Sequence, residues 1–552
     1  MGVKTLTEFA DTDGMLIHLL VKERAKYRRR NHSDKVNKLD KSLDLEELST
    51  RKLLSRMMPP RKTWVRPSNR IKLANGAVDT SKNAEKALIL TIKRDRKKQK
   101  LGEHFDYLEI LDGFINQIKK RITDKQLRFE SPHLTPIFKD KKQLDDGTLK
   151  VTCRPLSVYT KLEDKIILAL TYRYLARFFN RYLHENILSY RPARDFHEKK
   201  HYVTDFSDGA ELILDFLKKH FSDNIYAADC DIKKFYDIIP HQTVRDCFRR
   251  MLDRSPLSDE GKDQIMLVLE AYLTSFNFYD NVLKEATANP NIFYKMRKKF
   301  HDNENKNTYL IGNVEDISDE EYRQRGVPQG GALSLMVANI VLNDVDQAIV
   351  STYDENRLFI RYCDDMIMMH TDRDECARLM KQYTESLSDH DLYFHDFESA
   401  GDSKKKSDKY NNVVATTNHF WKIKSHRPFL WGRGDGDSNL YVGFLGYEIR
   451  RDGRIRLRKS NIENYKEKFC RLKYALRRFK KKHNNQQNAA EKFETHLNKT
   501  LDSTIKGLCF YTAINLDEFK KGSQYKYIMK LQSQTRRSVD KYKIDIIKQT
   551  HQ

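Results

Sequence analysis

Cysteine is scarce in this chain and follows none of the spacings that bind structural metals or build disulfide frameworks. The seven cysteines include no CxxC pair, which argues against a structural zinc site and against a disulfide-stapled secreted fold. Long apolar runs are missing as well. The stretch MLIHLLV at 15–21 is too short to cross a bilayer, and no signal-peptide cleavage pattern follows it. We therefore expect a cytoplasmic protein without membrane segments.

Acidic residues are in the minority. The 552 residues carry 102 Lys and Arg against 78 Asp and Glu, a formal net charge of +24, and basic blocks such as KERAKYRRR and KRDRKKQK recur along the chain. This charge predicts a polyanionic partner, most simply a nucleic acid, although a merely solubilising surface uses the same residues. The 28 Tyr and 28 Phe offer rings that stack on bases, besides those that fill a core.

The two ends of the chain are basic and helical in pattern. Residues 1–85 are interpreted as an extension that packs along a bound nucleic acid, or as a mobile tail.

Between the two ends, the sequence predicts both helices and hairpins. Helices are predicted for LGEHFDYLEILDGFINQIKKRI and EDKIILALTYRYLARFFNRYL, and hairpins for DDGTLKVTCRPLSVYT and VGFLGYEIRRDGRIRLR. Beyond these lies a basic stretch with apolar residues at three- and four-residue steps, which predicts helices with a core-facing stripe and a cationic back.

The stretch RLFIRYCDDMIMMH raises the question of function. Two adjacent aspartates, Asp364 and Asp365, separate two apolar runs typical of buried strands. Two carboxylates at the tip of such a hairpin repel each other, and burial strengthens the repulsion. A hydrated loop would tolerate the pair, but a divalent cation would explain why it lies between buried strands.

A second block, NIYAADCDIKKFYDIIPH, supplies a matching carboxylate. Asp231 falls near the end of a predicted strand, with Asp229 two residues earlier on the same face. A neighbouring Lys233 or Lys234 could satisfy Asp231. If a central sheet brings it to the Asp364–Asp365 hairpin, however, three carboxylates can hold two Mg²⁺ ions about 4 Å apart.

Four blocks in order resemble one known family. DIKKFYDIIPH, RGVPQGGALSLMVANIVLNDVD, RYCDDMIM and FLGYEI are similar to blocks of bacterial reverse transcriptases, the group that includes group II intron and retron enzymes, over roughly residues 150–460. The resemblance implies an α+β right-hand polymerase whose palm contains an antiparallel sheet. It implies these divisions: 1–85 a basic N-terminal extension, 86–220 fingers, 221–450 palm with fingers insertions, and 451–552 a helical thumb with a C-terminal extension.

The resemblance also implies roles for individual residues. Asp231, Asp364 and Asp365 would be the catalytic residues and the ligands of two Mg²⁺ ions. Tyr236 would collide with a ribose 2′-hydroxyl and so favour deoxynucleotides, although a core tyrosine has the same side chain. The residues that would bind the nucleotide are, in addition to Tyr236, Gln329 and Gly330 near the base pair and Arg154 with Lys150 at the triphosphate.

The expected reaction is attack of a primer 3′-hydroxyl on a dNTP opposite an RNA template, giving DNA. The long insertions and helical C-terminal extension look most like the defence-associated, abortive-infection-like reverse transcriptases. That subgroup implies an antiphage role with a companion noncoding RNA, a partner protein or a homo-oligomer. An RNA-templated RNA polymerase, a nucleic-acid-binding protein with an inactive polymerase core, and template-free or protein-primed synthesis remain alternatives.

Overall fold

The protein is described here by a computed structural model. It covers residues 5–33, 41–72, 78–143, 149–189, 206–288, 309–310, 317–400, 420–421, 423–432 and 438–458, together with four single positions near the C-terminus. The chain divides into two compact units. The first comprises residues 1–184, 233–347 and 386–393, and the second comprises residues 185–232, 348–385 and 394–552.

The first unit is mainly helical. Its helices are α1 Leu6–Asp11, α2 Met15–Ser33, α3 Lys41–Arg56, α4 Thr80–Gln99, α5 Asp106–Thr123, α6 Leu162–Phe179, α8 Phe235–Ile238, α9 His241–Asp253, α10 Asp259–Thr274, α11 Glu285–Ala288 and α12 Asp319–Tyr322. Its strands β1 His133–Gln143 and β2 Leu149–Val158 are antiparallel, and the short β4 Tyr309–Leu310 runs parallel to β2. The hairpin predicted around DDGTL therefore forms, with its turn outside the described residues.

The helices of the first unit follow their sequence patterns. In α5, Leu108, Phe114 and Ile118 share one buried face, as the three- and four-residue spacing predicts. The N-terminal residues pack as part of the same core. Thr5 caps α1 by accepting from the backbone N–H of Glu8, and the buried ring of Phe9 meets Tyr174 of α6 edge-on at 5.4 Å. Residues 5–33 thus include core helices, which the basic composition of this segment did not indicate.

The second unit is built around a mixed sheet. The strand order is β5–β6–β3–β8–β7, with β9 paired to β8, and β3 lies between β6 and β8, antiparallel to both. The bounds are β3 Tyr226–Asp231, β5 Arg357–Tyr362, β6 Asp365–His370, β7 Phe397–Glu398, β8 Ser425–Trp431 and β9 Ser438–Asn439. A smaller antiparallel sheet comprises β10 Tyr441–Phe444, β11 Tyr447–Arg450 and β12 Ile455–Leu457.

One apolar core joins these sheets to helix α7, Phe206–Lys219. Ile213 of α7, Ile367 of β6 and Trp431 of β8 are all buried within it. Turn residue Gly453 has φ +82° between β11 and β12, a left-handed conformation that glycine adopts at little cost. The hairpin predicted at RRDGR forms there.

Two further helices, α13 Ser334–Val350 and α14 Arg373–Asp389, run from one unit into the other. The protein has an α+β fold, which confirms the predicted class. None of the helices that the structure describes combines the length and apolarity needed to span a bilayer. The predicted thumb lies almost entirely outside the described residues, and the assignment of fingers, palm and thumb stays a prediction.

Candidate active site

The catalytic strand predicted from the sequence is the middle strand of the larger sheet. Ala227, Ala228 and Cys230 of β3 are buried, and Asp231 is its last residue. Because side chains alternate along a strand, Asp229 and Asp231 project from the same face. The buried apolar residues hold the strand in the sheet, so the position of Asp231 is set by the sheet itself.

The Asp364–Asp365 hairpin lies directly beside this strand. Cys363 has φ +56° in the turn, and Asp365 begins β6 opposite Tyr362 of β5. On its other side, Asp365 is the register partner of Asp231. The structure therefore brings the three predicted aspartates together at one end of the same sheet, all within the second unit.

The charges of this cluster act on Asp365. The residue has an exposed outer surface, but desolvation by the surrounding protein, together with the negative charges of Asp364 and Asp231, raises the pKa of its carboxyl to about 7. The positive charges of Arg458 and Lys424 oppose this rise. The positive side chains nearby thus compensate the negative charge of the cluster only in part.

Two residues of the β8 region contact these carboxylates. The Lys424 ammonium donates to Oδ2 of Asp231 at 2.8 Å. The Nδ1 atom of the His426 ring lies 2.8 Å from the Asp229 carboxylate, and its Nε2 atom lies 3.1 Å from the Phe420 carbonyl oxygen. The cation beside Asp231 is therefore remote in sequence, unlike the neighbouring lysines considered above.

The predicted nucleotide-binding residues belong to the first unit. Gln329 donates through its side-chain amide to Asp237 at 2.6 Å, and its backbone carbonyl accepts from the Ser157 N–H at 3.0 Å. Gly330 has φ +88°, and a Cβ there would lie 3.3 Å from Cδ2 of Leu156. The glycine therefore permits both the backbone turn and the approach of β2.

Tyr236 lies on the short helix α8 and not on a strand. Its ring is partly buried, and its backbone carbonyl accepts from the Val327 N–H at 2.8 Å. Arg154 is exposed on β2, opposite Ile137 of β1. Lys150 belongs to the same strand, and its side chain lies outside the described residues.

The comparisons with known proteins identify the domain. The family model described as "Reverse transcriptase (RNA-dependent DNA polymerase)" matches residues 273–397. The chain carries a reverse transcriptase domain. The matched stretch contains Gln329, Gly330, Asp364 and Asp365, whereas Asp231 precedes it. The match is narrower than the range of about 150–460 over which the sequence resembles the family.

Solved telomerase structures are among the chains similar to this reverse transcriptase domain protein. Telomerase from Candida albicans in complex with a TWJ fragment of telomeric RNA has a TM-score of 0.32 and 12% identity, over 80% of this chain and 64% of that one. Apo telomerase from Candida tropicalis has a TM-score of 0.34 and 13% identity, over 97% and 92%. Likeness this distant identifies no activity. No match was found among curated proteins.

The three clustered aspartates suit a hard divalent cation. All three offer oxygen ligands, the donors that Mg²⁺ prefers. An ammonium group already binds Asp231, which shows that the carboxylate attracts positive charge. The donor set and the electrostatics therefore fit the predicted metal ligands.

Another cluster of ligand-type side chains has a different explanation. Among the residues that the structure describes, donor atoms of Cys247, Asp344 and His390 lie within 4.8 Å of one another. The Arg250 guanidinium donates to Asp344 at 2.8 Å and to the Cys247 sulfur at 3.2 Å. Burial and the charge of Asp344 raise the pKa of the Cys247 thiol to about 12. Because the cluster has its own cation and a thiol that resists ionisation, we assign it no metal.

Sequence reasoning missed Lys424 and His426. Both lie within the polar stretch near 400–440, whose composition indicates a surface loop, and they meet Asp231 and Asp229 across 193 and 197 residues. A histidine beside the apolar residues of KSHRPFLW was the one available signal, since a buried polar ring requires a partner, and no strand was predicted there. Nothing local indicated which residue that partner would be.

Proposed function

We propose that this protein is an RNA-directed DNA polymerase that adds dNTPs to a primer 3′ end. The observation that carries the proposal is the register pairing of Asp231 with Asp365, beside Asp364, at the end of one sheet. Two of these aspartates fall within the stretch that matches the reverse transcriptase family. A nucleotidyl transfer site needs carboxylates held rigidly beside one another, and strand pairing supplies that rigidity.

In this proposal Asp231, Asp364 and Asp365 hold two Mg²⁺ ions. Bound Mg²⁺ would favour ionisation of the attacking hydroxyl and stabilise the charge on the phosphates. The protein itself would contribute position. Backbone hydrogen bonds on both edges of β3 would keep Asp231 at a constant distance from the hairpin, so that substrate groups meet a preorganised site.

The residues of the first unit would bind the nucleotide. Arg154, exposed on β2, would contact the triphosphate together with Lys150, because a guanidinium can donate two parallel hydrogen bonds to phosphate oxygens. Tyr236 would exclude a 2′-hydroxyl. Gln329 and Gly330 would lie along the base pair, and the hydrogen bond to Asp237 would fix the orientation of the Gln329 amide.

The proposed partners are an RNA template, a DNA product and dNTPs. The net charge of +24 supports binding to a polyanion through backbone phosphates. We further propose an antiphage role of the abortive-infection type, with a companion noncoding RNA, a partner protein or a second copy of the chain. Phage plating on cells that express the wild type or Asp364→Asn tests this role: equal plating on both would contradict it.

Primer extension on an RNA template in Mg²⁺ tests the polymerase proposal. Asp364→Asn removes one charge at the hairpin tip while keeping the side-chain shape. Metal ligation contributes several kcal/mol to such reactions, so we expect a loss of about 10³-fold in rate. Asp215→Asn is the matched control, since this aspartate is an exposed residue of α7 paired only with Lys218 in the described contacts.

The same assay separates the alternatives. Incorporation of rNTPs in preference to dNTPs would indicate an RNA polymerase. Product in the absence of RNA, or DNA that remains attached to the protein after denaturation, would indicate template-free or protein-primed synthesis. A folded wild-type protein that binds RNA and makes no product under any of these conditions would contradict the proposal and indicate an inactive core.

A further inference from the structure

Lys424 occupies an unusual position for an exposed lysine. It directly precedes β8, the strand beside β3, and its ammonium lies 2.8 Å from Oδ2 of Asp231. The Lys424 side chain is 57% exposed, whereas that of Asp231 is only 20% exposed. A largely solvated cation therefore binds a carboxylate that is itself mostly buried.

The other charges nearby are directed elsewhere. Asp229 accepts from both the backbone N–H and the ring of His426. The positive charge of Arg458 acts mainly on Asp365 and Asp229. His395 approaches Oδ2 of Asp231 only to 4.0 Å. Within the described residues, Lys424 makes the closest cationic contact with Asp231.

The contact can break without disturbing the sheet. The backbone of Asp231 is held independently: its N–H donates to the Ser425 hydroxyl at 3.1 Å, and its carbonyl accepts from the His395 N–H at 3.0 Å. Rotation of the solvated Lys424 side chain would leave these bonds intact. A divalent cation approaching Asp231 is repelled by that ammonium, since both positive charges compete for the negative charge of the same carboxylate.

We propose that Lys424 is a built-in competitor for divalent cations, bound to Asp231 in the metal-free protein and released when the metal binds. This inference rests on the proposed metal site. Lys424 would neutralise Asp231 while the site is empty, and it would raise the concentration of free divalent cation needed to fill the site. The proposed polymerase would then need a higher concentration of free divalent cation for activity than a site formed by the three aspartates without Lys424.

Mn²⁺ titration of the nucleotide-free protein, with free Mn²⁺ measured by electron paramagnetic resonance, tests the proposal without using catalysis. Exposed ion pairs contribute modestly, so Lys424→Met should lower the apparent Kd for Mn²⁺ by about two- to fivefold. Lys424→Arg keeps the charge and should remain close to wild type. Lys218→Met is the matched control, because this lysine is 75% exposed and pairs with Asp215 on the surface of the same unit.

A double-mutant cycle attributes the effect to Asp231. In an Asp231→Asn background, Lys424→Met should change the Mn²⁺ affinity less than it does in the wild-type background, because the carboxylate that Lys424 contacts has lost its charge. Lys424→Gln should act in the same direction as Lys424→Met, so the test does not depend on the folding of one variant. Unchanged or weaker Mn²⁺ binding in both neutral variants would overturn the inference.

The experiment also separates this inference from the proposed function. If Asp231→Asn leaves Mn²⁺ binding intact, the metal site itself is wrong, and the competitor role fails with it. If Mn²⁺ binding behaves as expected and primer extension yields no product, the polymerase proposal fails and the competition stands.

Discussion

Replacing His426 with phenylalanine tests how the strand that carries Asp231 is supported. His426 is 4% exposed, and its ring stacks on Phe420 with centroids 4.0 Å apart. Phenylalanine keeps an aromatic ring of similar size and removes both ring nitrogens. The substitution therefore isolates the two hydrogen bonds from the packing.

The expected loss in the free energy of unfolding depends on the polar group that each removed nitrogen leaves without a partner. Without Nε2, the buried carbonyl of Phe420 loses its hydrogen-bond partner at 3.1 Å, which costs about 1–3 kcal/mol. Without Nδ1, Asp229 keeps the backbone N–H of residue 426 at 2.9 Å and is 24% exposed, so this part costs only about 1 kcal/mol. We expect His426→Phe to lower the free energy of unfolding by about 2–4 kcal/mol.

Urea unfolding followed by tryptophan fluorescence measures this change, since Trp421 and Trp431 belong to the same unit as His426. Asp229→Asn in both backgrounds gives the coupling between the two side chains, expected at about 1 kcal/mol. A free energy of unfolding within about 0.5 kcal/mol of wild type, or strictly additive effects of the two substitutions, would refute the reasoning.

Three further predictions follow from other positions. Burial lowers the pKa of His241 to about 4, so on acidification the unfolded chain takes up this proton before the folded protein does. The free energy of unfolding should therefore be highest above about pH 6.5 and fall as the pH decreases toward 4. Urea unfolding at each pH should show a smaller decline in His241→Gln than in the exposed control His104→Gln. Gly326→Ala should destabilise the folded protein by at least about 1–3 kcal/mol, because φ is +95° and a Cβ would lie 2.9 Å from a backbone oxygen. Gly113→Ala, on α5, should stabilise the folded protein by about 0.5–1 kcal/mol, because a Cβ there has nothing within 4 Å. Equal shifts in melting temperature for the two variants would contradict this. Tyr236→Ala should raise rNTP incorporation relative to dNTP in primer extension while Tyr236→Phe does not, and unchanged sugar selection in Tyr236→Ala would remove this residue from the proposed nucleotide site.

Local patterns predicted much of the secondary structure. Helix α5, the β1–β2 hairpin and the β5–β6 hairpin were all visible in the sequence, because their periodicity and turn residues act over a few positions. The N-terminal residues were harder. The basic composition of 1–85 indicated an extension, yet Phe9 lies in a core against Tyr174. A short helix such as α1 shows too few turns for its buried face to stand out from composition.

In the candidate site, too, local patterns predicted some residues and missed others. Asp231, Asp364 and Asp365 were singled out because carboxylates at the ends of apolar strands need a counter-charge. Lys424 and His426 were not, because a lysine or histidine in a polar stretch has many possible partners. Their contacts depend on β8 entering the sheet beside β3, and sheet order is a property of the whole fold.

By itself the sequence determined that the segments of β3, β5 and β6 become buried strands, that two aspartates lie at a tight turn between β5 and β6, and that the chain carries a large positive charge. Only the tertiary structure decided that Asp365 faces Asp231 in register and that Lys424 reaches Asp231 from 193 residues away. The reason is physical: side-chain periodicity and turn geometry are local, whereas the choice of neighbouring strand is made by burying apolar surface from distant parts of the chain in one core.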